Sequence, residues 1–256
     1  MRRVAVKIAY LGEDFAGSQI QPDLRTVEGD VLRDLKEISA LADDTIDLRC
    51  ASRTDRGVNA LGNVMVFNTT FDNDAALLKA LNAVSKGVFY RSIAEVDEKF
   101  NPRHANERIY RYVLPAEGLN ANAVKKCASL FVGEHDFARF CKQDDRNTKM
   151  EMRSVTVDNI DGAFMIEFRA EHFLWNQIRR ITAAILSVGR GSSTLAEVKK
   201  ALNLEEITFG IARADALTLY DVVYNDLRFK PADSTGVRSA EGRFVTSLKK
   251  MFYDEL

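Results

Sequence analysis

The chain has few of the residues that hold small secreted proteins together. Among 256 residues there are three cysteines and four prolines. Cys50, Cys127 and Cys141 lie far apart, which argues against a disulfide framework and favours a reducing, cytoplasmic location. No apolar run approaches the roughly 18 residues of a membrane span, and Lys7 interrupts the N-terminal apolar stretch that a signal peptide would need.

An excess of charge of either sign is also missing. Lys and Arg total 36 against 37 Asp and Glu, a net charge of −1. A chain without a global positive field would not, on that ground alone, be expected to bind nucleic acid. The three histidines show no metal-binding spacing, and no Cys-x-x-Cys or phosphate-cradling glycine loop occurs, so we expect neither metal nor cofactor.

The composition that remains is that of an ordinary folded protein, with 46% hydrophobic and 29% charged residues. In the first hundred residues the apolar spacing alternates between periods typical of strands and of helices. It predicts a strand at 4–8, a helix after Thr26, strands at 46–51 and 64–69, a helix capped by Asp74 and a strand at 88–96. This β-α-β-β-α-β order is that of a ferredoxin-like unit.

The rest of the chain repeats that order without repeating its residues. We predict a strand at 109–114, then a helix at 120–131 that Gly133 ends, and then a hairpin of 152–157 and 164–168 across Asp161-Gly162. A helix at 174–188 follows. A short helix after the capping box of Thr194 and Glu197 and a strand at 217–224 complete the order. The predicted class is therefore α+β, with two tandem ferredoxin-like, RRM-like domains that have antiparallel sheets and helices on one face.

The boundary between the two domains is predicted at Asn101-Pro102, because the residue before a proline disfavours helix. The domains would then be 1–102 and 103–256. Such a pair leaves a cleft between its halves, onto which the loop at 52–60 and the helix start at 174–180 could open. Clefts are where active sites usually lie.

The most informative segment is the polar stretch 51–60, where Asp55 stands close to Arg53 and Arg56. One interpretation is structural: Asp55 bonds the local backbone and Gly57 supplies a positive φ. The other is functional: neighbouring cations keep the carboxylate ionised so that it can act as a nucleophile. Spacing alone favours the structural interpretation.

Two further segments combine aromatic residues with arginine. In the strand around Tyr110-Arg111-Tyr112, the tyrosines share one face, which is either a core face or a stacking platform beside phosphate-binding arginines. In the helix predicted from Leu174, Trp175 and Arg179 are four residues apart and share a face. A partly buried arginine needs an anionic partner, and Asp55 is a candidate.

Together these segments resemble the TruA-type tRNA pseudouridine synthase family, in the same order over nearly the whole chain. The matching stretches are 17–21 (Gly-Trp-Gln-x-Gln in the family), 52–59 (Gly-Arg-Thr-Asp-x-Gly-Val-His), 110–112 (Tyr-Arg-Tyr), 131–137 (Leu-x-Gly-x-x-Asp-Phe), 173–179 (Phe-x-x-x-x-Val-Arg) and 214–219 (Ala-x-Gly-Leu-x-Leu). The departures are Ser18 for a usual Trp, Ser52 for Gly, Arg56 for Ala, Asn59 for His and Asn176-Gln177 for His-Met, a pattern more like the archaeal branch.

The resemblance implies an isomerase that converts uridine to pseudouridine in the anticodon arm of tRNA, at positions 38 to 40, without cofactor or metal. Asp55 would be the essential carboxylate and Arg179 its partner. Tyr110 would stack on the flipped uracil and help to remove the proton from C5. Arg53 would fill the space that the base leaves, and Leu219 would line the pocket. Members act as homodimers that grip tRNA. Weaker candidates for phosphate contacts are Arg103, Arg108 and Arg111.

Three alternatives remain open at this point. The chain could be a non-catalytic RNA-binding protein with tandem RRM-like domains, although the ribonucleoprotein motif is missing from the sequence. It could be a synthase of the same family that modifies another tRNA position. A small-molecule α+β enzyme would instead act on free uridine monophosphate.

Overall fold

The computed structural model describes residues 1–40, 47–145, 147–160 and 162–232. These residues form two compact units: Met1–Asn106 together with the described residues from Thr218, and Glu107–Leu217. The units differ from the predicted division at 102/103, because the chain returns to the first unit after Leu217.

The first unit begins with the predicted β-α-β-β-α-β order. Its elements are β1 (Arg2–Tyr10), a 3-10 turn (Gly12–Asp14), α1 (Val27–Glu37), β2 (Arg49–Cys50), β3 (Asn59–Thr69), α2 (Asp74–Val84) and β4 (Val88–Val96). β1 lies between β3 and β4 and is antiparallel to both. Only two residues remain of the second predicted strand, part of which lies outside the described residues; they pair with Met65 and Val66.

Both helices of this unit begin at side-chain caps. The Thr26 hydroxyl accepts the Gly29 N–H at 3.2 Å, and the Asn73 amide oxygen accepts the Ala76 N–H at 2.9 Å. Asp74 is therefore the first helical residue and not the cap that we predicted. Its carboxylate pairs with Arg2 at 2.7 Å instead.

The second unit contains more elements than predicted. They are β5 (Glu107–Pro115), α3 (Ala121–Ser129), β6 (Gly133–Asp136), a 3-10 turn (Ala138–Phe140), β7 (Lys149–Met152), β8 (Ser154–Ile160), β9 (Ala163–Ala170), α4 (Gln177–Gly189) and α5 (Leu195–Leu202). β9 lies between β5 and β8, antiparallel to both. The β8–β9 hairpin and the capping box of Thr194 and Glu197 are confirmed, while Asp161 of the hairpin turn lies outside the described residues.

An additional hairpin of β6 and β7 was not predicted. Gly133, which we expected to end a helix, adopts a φ of +102° and starts β6, and α3 has already ended at Ser129. β6 carries polar residues at all positions but the glycine, so its sequence shows no apolar alternation.

Two last strands, β10 (Leu217–Val223) and β11 (Lys230–Pro231), complete the description. β10 runs parallel to the start of β3, with Thr218 opposite Asn59 and Leu219 opposite Ala60. Because β2 covers β3 only at residues 65 and 66, the edge at 59 and 60 is free for this pairing. The α+β class with mostly antiparallel sheet is confirmed, and none of the helices in the described ranges combines the length and apolarity that a membrane crossing requires.

Candidate active site

The Asp55 loop, residues 52–57, connects β2 to β3 in the first unit. Burial alternates along it: Ser52 and Thr54 are buried, Arg53 is exposed and Asp55 is half-buried. Gly57 has a φ of +84°, and the Val58 N–H donates to the Asp55 carbonyl at 3.1 Å to close the turn. The positive φ at Gly57 that the structural interpretation expects is present, and Asp55 lies half-buried on this turn.

Thr54, the residue before Asp55, is held on three sides. Its N–H donates to the Ser18 hydroxyl at 2.8 Å, and its carbonyl accepts the Ser18 N–H at 3.0 Å. Its own hydroxyl lies 2.8 Å from the Tyr10 hydroxyl. Ser18 and Tyr10 are almost completely buried, so these bonds do not compete with water.

Asn63 of β3 holds the beginning of the same loop. Its amide nitrogen donates to the Ser52 carbonyl at 2.9 Å and to the Tyr10 hydroxyl at 3.2 Å. It also lies 3.3 Å from the Cys50 sulfur. Burial raises the pKa of the Cys50 thiol to about 12, so this cysteine stays protonated and is no nucleophile.

Two glycines allow the N-terminal segment to approach the loop closely. A Cβ on Gly12 would lie 2.3 Å from the Gly57 carbonyl carbon, and one on Gly17 would lie 3.3 Å from the Thr54 carbonyl oxygen. Gly17 also has a φ of +130°, which side chains other than hydrogen rarely adopt. Asn59, at the family's histidine position, is buried and accepts the Gly12 N–H at 2.9 Å.

Arginine and glutamate set the electrostatics beside the loop. Burial raises the pKa of the Glu28 carboxyl above its ordinary value, and the Ile20 N–H, Arg53 and Arg103 offset part of that rise. Arg53 and Arg103 are both exposed at the surface of this unit. Leu219 of β10 is fully buried and lies opposite Ala60 of β3, the strand that follows the Asp55 loop.

The aromatic strand of the second unit is β5. Tyr110 is 7% exposed and stacks edge-on against Phe173, with ring centroids 5.1 Å apart. Burial, then the charge of Asp215, raises the pKa of Tyr112 to about 12, with Arg179 and Arg213 opposing the rise. The structure therefore brings Arg179 close to this aromatic strand.

Two of the arginines proposed for phosphate contacts already have protein partners. The Arg108 guanidinium is buried and donates to the Glu171 carbonyl. Arg111 pairs with the Glu167 carboxylate at 2.7 Å. These contacts hold β5 against β9 and its C-terminal end, which makes Arg108 and Arg111 poorer phosphate ligands than exposed arginines.

α4 begins three residues later than predicted. Asn176 adopts a left-handed conformation with a φ of 60°, which helical residues cannot share, so the helix starts at Gln177. Trp175 consequently lies in the turn before the helix. Our prediction that Trp175 and Arg179 share a helical face was therefore wrong. Its exposed ring packs under the Lys142 ammonium, 3.7 Å from the ring centroid.

Two hydrogen bonds within the second unit fix the orientation of the Arg179 side chain. Its Nε donates to the Ala212 carbonyl at 2.8 Å, and one terminal nitrogen donates to the Asn176 side-chain oxygen at 3.2 Å. The left-handed turn thus places an acceptor for the arginine that the family motif singles out.

Sequence reasoning missed Tyr10, Ser18 and Asn63 as supports of the candidate site. Ser18 was noticed only as a departure from the family motif, and the other two looked like ordinary strand residues. Nothing in local spacing connects positions 10, 18, 54 and 63. Their connection depends on β1 and β3 being neighbours, which only the sheet register reveals. Within the described ranges, no group of three or more His, Cys, Asp or Glu residues could hold a metal ion.

Comparison with known proteins first defines the class. A family model described as tRNA pseudouridine synthase matches residues 127–225. One solved structure, an H/ACA RNP bound to a substrate RNA containing 2′-deoxyuridine, aligns with 72% of this chain and 43% of its own, at 13% identity and a TM-score of 0.35. The class that the family model indicates is an isomerase that acts on uridine in RNA.

Curated relatives then fix the family. The tRNA pseudouridine synthase A of Pyrococcus abyssi is 39% identical over 89% of this chain and 86% of its own. Those of Thermococcus onnurineus (37%, over 93% and 91%) and Methanosphaera stadtmanae (32%, over 98% and 93%) match as broadly. The chain belongs to the tRNA pseudouridine synthase family, which confirms the resemblance, including its archaeal character. It is an isomerase that converts uridine to pseudouridine in tRNA.

Proposed function

We propose that this enzyme isomerises uridines in the anticodon stem-loop of tRNA, at positions 38 to 40, and that Asp55 is its essential carboxylate. The observation that carries the proposal is the Asp55 loop itself. Its buried residues are fixed by hydrogen bonds from three other segments, while Asp55 is left half-buried at the surface beside exposed Arg53. A rigid mount for one accessible carboxylate is what a catalytic role requires.

The reaction is an isomerisation, so its atoms balance without a co-reactant. The bond from N1 of uracil to C1′ of ribose breaks, the base turns, and a bond forms from C5 to C1′. C5 loses its proton and N1 gains one. Asp55 can enter in three ways: it attacks C1′, adds to C6 of the uracil, or removes a ribose proton on the way to a glycal. All three need an ionised carboxylate in contact with the nucleotide.

A uridine in a stem must leave the stack before any carboxylate can reach it, at a cost of a few kcal/mol. We assign Arg53 to the space that the base vacates, because it is exposed and precedes Asp55 by two residues. Arg103, also exposed, is assigned to the phosphate backbone. The protein partners of Arg108 and Arg111 leave those two a smaller share of the phosphate binding.

The remaining roles stay proposals carried by the family motif. Tyr110 would stack on the flipped uracil, and the edge-on contact with Phe173 fixes its ring. Arg179 would hold the Asp55 carboxylate ionised and in one rotamer. Leu219 would line the pocket from β10.

The test of Asp55 uses tRNA labelled with tritium at C5 of uridine, since the label is released when C5 loses its proton. We expect Asp55→Asn to abolish release while the Kd for tRNA stays within about threefold of the unmodified enzyme. The matched control is Asp158→Asn, which removes an exposed carboxylate on β8 and should leave release unchanged. Full activity of Asp55→Asn would remove the assignment.

The position is tested separately by mapping pseudouridine in tRNA after incubation with the enzyme. Modification confined to positions 38, 39 and 40 is expected. Modification elsewhere in tRNA would keep the enzyme class and reject the anticodon-arm proposal.

We also propose that the enzyme acts as a homodimer, as members of the family do. Light scattering coupled to size exclusion should give twice the 28.7 kDa mass of one chain at assay concentrations. A fully active monomer would contradict this.

A further inference from the structure

We propose that Ser18 is a positioning residue for the isomerisation: through Thr54 it fixes the backbone from which Asp55 reaches the substrate. The inference rests on the proposed role of Asp55. It concerns a residue that touches no reacting atom, and whose effect would pass entirely through the loop.

The geometry that carries it is a double contact between two residues. Ser18 holds both backbone polar groups of Thr54, accepting its N–H on the hydroxyl at 2.8 Å and donating its own N–H to the carbonyl at 3.0 Å. The two bonds hold the peptide groups on both sides of the Thr54 Cα, the second of which links Thr54 to Asp55. A shift of the Thr54 backbone therefore displaces the Asp55 carboxylate.

Ser18 can act as a reference point because it is anchored in turn. Its carbonyl accepts the Glu28 N–H at 3.0 Å, and the Gly17 carbonyl accepts the Val27 N–H at 3.3 Å. Both donors belong to the first turn of α1, whose backbone N–H groups have no partner within the helix. The loop is thereby tied to a helix.

Because Ser18 is buried, its hydroxyl contributes strongly to holding the Thr54 backbone in place. The residue is 0% exposed, so water cannot replace the hydroxyl when it is removed. The Thr54 N–H would then lose its acceptor, and leaving a buried donor without a partner is unfavourable. The loop relieves that penalty by moving, and a displacement of about 1 Å can lower a rate by up to about 10²-fold.

A second hold on Thr54 comes from the opposite side. The Tyr10 hydroxyl lies 2.8 Å from the Thr54 hydroxyl and accepts from Asn63 at 3.2 Å. Ser18 and Tyr10 thus act on the backbone and the side chain of the same residue. If both position Asp55, the loss of one makes the other less effective, and the two effects on rate are not additive.

The experiment compares Ser18→Ala with Thr69→Ala in the full-length enzyme. Thr69 is the matched control because it is equally buried in the same unit and its hydroxyl donates to the Ala40 carbonyl at 3.2 Å, away from the loop. At a temperature where both variants are folded, we expect Ser18→Ala to lower kcat about tenfold with KM and tRNA binding unchanged, and Thr69→Ala to lower only the melting temperature.

The second arm is a double-mutant cycle of Ser18→Ala and Tyr10→Phe on kcat. We expect the double variant to lose less than the product of the two single losses, whereas Ser18→Ala combined with Thr69→Ala should show no coupling. An ordinary structural role would lower stability in all these variants without this pattern in kcat.

Each outcome decides the proposal. A folded Ser18→Ala overturns it if kcat is unchanged and only the melting temperature falls, as expected for Thr69→Ala, or if KM changes together with kcat. Should Ser18→Ala not fold, Ser18→Cys keeps the shape but offers a weaker acceptor, and an unchanged kcat there overturns it equally. Asp55→Asn is assayed in parallel: an active Asp55→Asn defeats the proposed function, whereas an inactive one with an unaffected Ser18→Ala defeats only the positioning role.

Discussion

The Asp55 loop and the start of α4 carry the two charged residues proposed for catalysis, and they are stabilised in different ways. Around the loop, Ser18, Thr54, Tyr10 and Asn63 are buried and bonded to one another or to the loop backbone. The loop and the segment that contacts it have positive φ angles at Gly57 and Gly17, which glycine adopts without strain.

The start of α4 has the opposite character. Asn176 takes a left-handed conformation without being glycine and makes no side-chain cap bond to the helix. The buried Nε2 of Gln177 has no hydrogen-bond partner among the described residues. The left-handed Asn176 and the unpaired Gln177 nitrogen lower the stability of this segment, but the same conformation places the Asn176 side chain where it accepts a hydrogen bond from Arg179. Strain and unpaired polar groups of this kind are commonly found at functional sites.

The largest effect that sharpens this comparison is expected from Arg179→Ala. If the strained turn exists to hold the Arg179 guanidinium in place for the proposed role in catalysis, removing that guanidinium should lower kcat by about 10²-fold. Arg139→Ala is the control, since Arg139 lies in the same unit and its Nε also donates to a backbone carbonyl, that of Leu204 at 3.0 Å. Tritium release at saturating tRNA measures both, and equal rates for the two variants would take Arg179 out of the site.

The next effect concerns the buried amides. Asn63→Leu leaves the Ser52 carbonyl and the Tyr10 hydroxyl without their donor, and should lower the free energy of unfolding by about 2 kcal/mol. Gln177→Met loses one bond, from the Leu174 N–H at 2.8 Å, but also removes the unpaired nitrogen. We expect a change of less than about 1 kcal/mol there.

Urea unfolding followed by circular dichroism measures both variants. Equal losses would mean that the two segments are equally well bonded and that the contrast drawn between them is wrong.

The same contrast explains what could be predicted from the sequence. In the first unit the strands, helices and turn of the Asp55 loop follow from local signals: apolar periodicity, the Thr26 cap and the positive φ of Gly57. The start of α4 could not be predicted, because its apolar spacing continues through Leu174 and no local signal marks Asn176 as left-handed. Supports such as Tyr10 and Asn63 depend on the register of β1 and β3, and the parallel pairing of β10 with β3 joins residues about 160 positions apart in the chain.

Two substitutions of Asn176 separate the backbone strain of its left-handed conformation from the role of its side chain in holding Arg179. Asn176→Gly keeps the left-handed turn at no steric cost but deletes the acceptor for Arg179, so stability should be maintained while kcat falls about threefold. Asn176→Ala loses the acceptor and keeps the strain, and should also lose about 1 kcal/mol of stability.

Thermal melting and tritium release on both variants distinguish the two contributions. If Asn176→Gly melts lower than Asn176→Ala, the side chain stabilises the turn and the strain argument fails.

The smallest expected effects come from pH and have opposite signs in the two units. Burial raises the pKa of Glu28 above the ordinary value of 4.5. Its stabilising contribution is therefore fully present below pH 4.5 and is lost as the pH rises through the folded-state pKa. Relative to the unmodified enzyme, Glu28→Gln should gain stability as the pH rises from about 4 to about 7.

Glu167 in β9 behaves in the reverse way. Burial alone would raise its pKa, but hydrogen bonds from Arg111 and Arg169 outweigh burial and hold the pKa below 4.5. Its contribution is present above the ordinary pKa and is lost as the pH falls through the lowered one, so Glu167→Gln should lose stability relative to the unmodified enzyme at neutral pH and recover it in acid. Melting temperatures of both variants between about pH 4 and about pH 7 provide the measurement. Parallel curves for Glu28→Gln and Glu167→Gln would contradict the assigned burial and ion pairing, because a buried, incompletely compensated carboxylate and a doubly paired one must respond to protons with opposite signs.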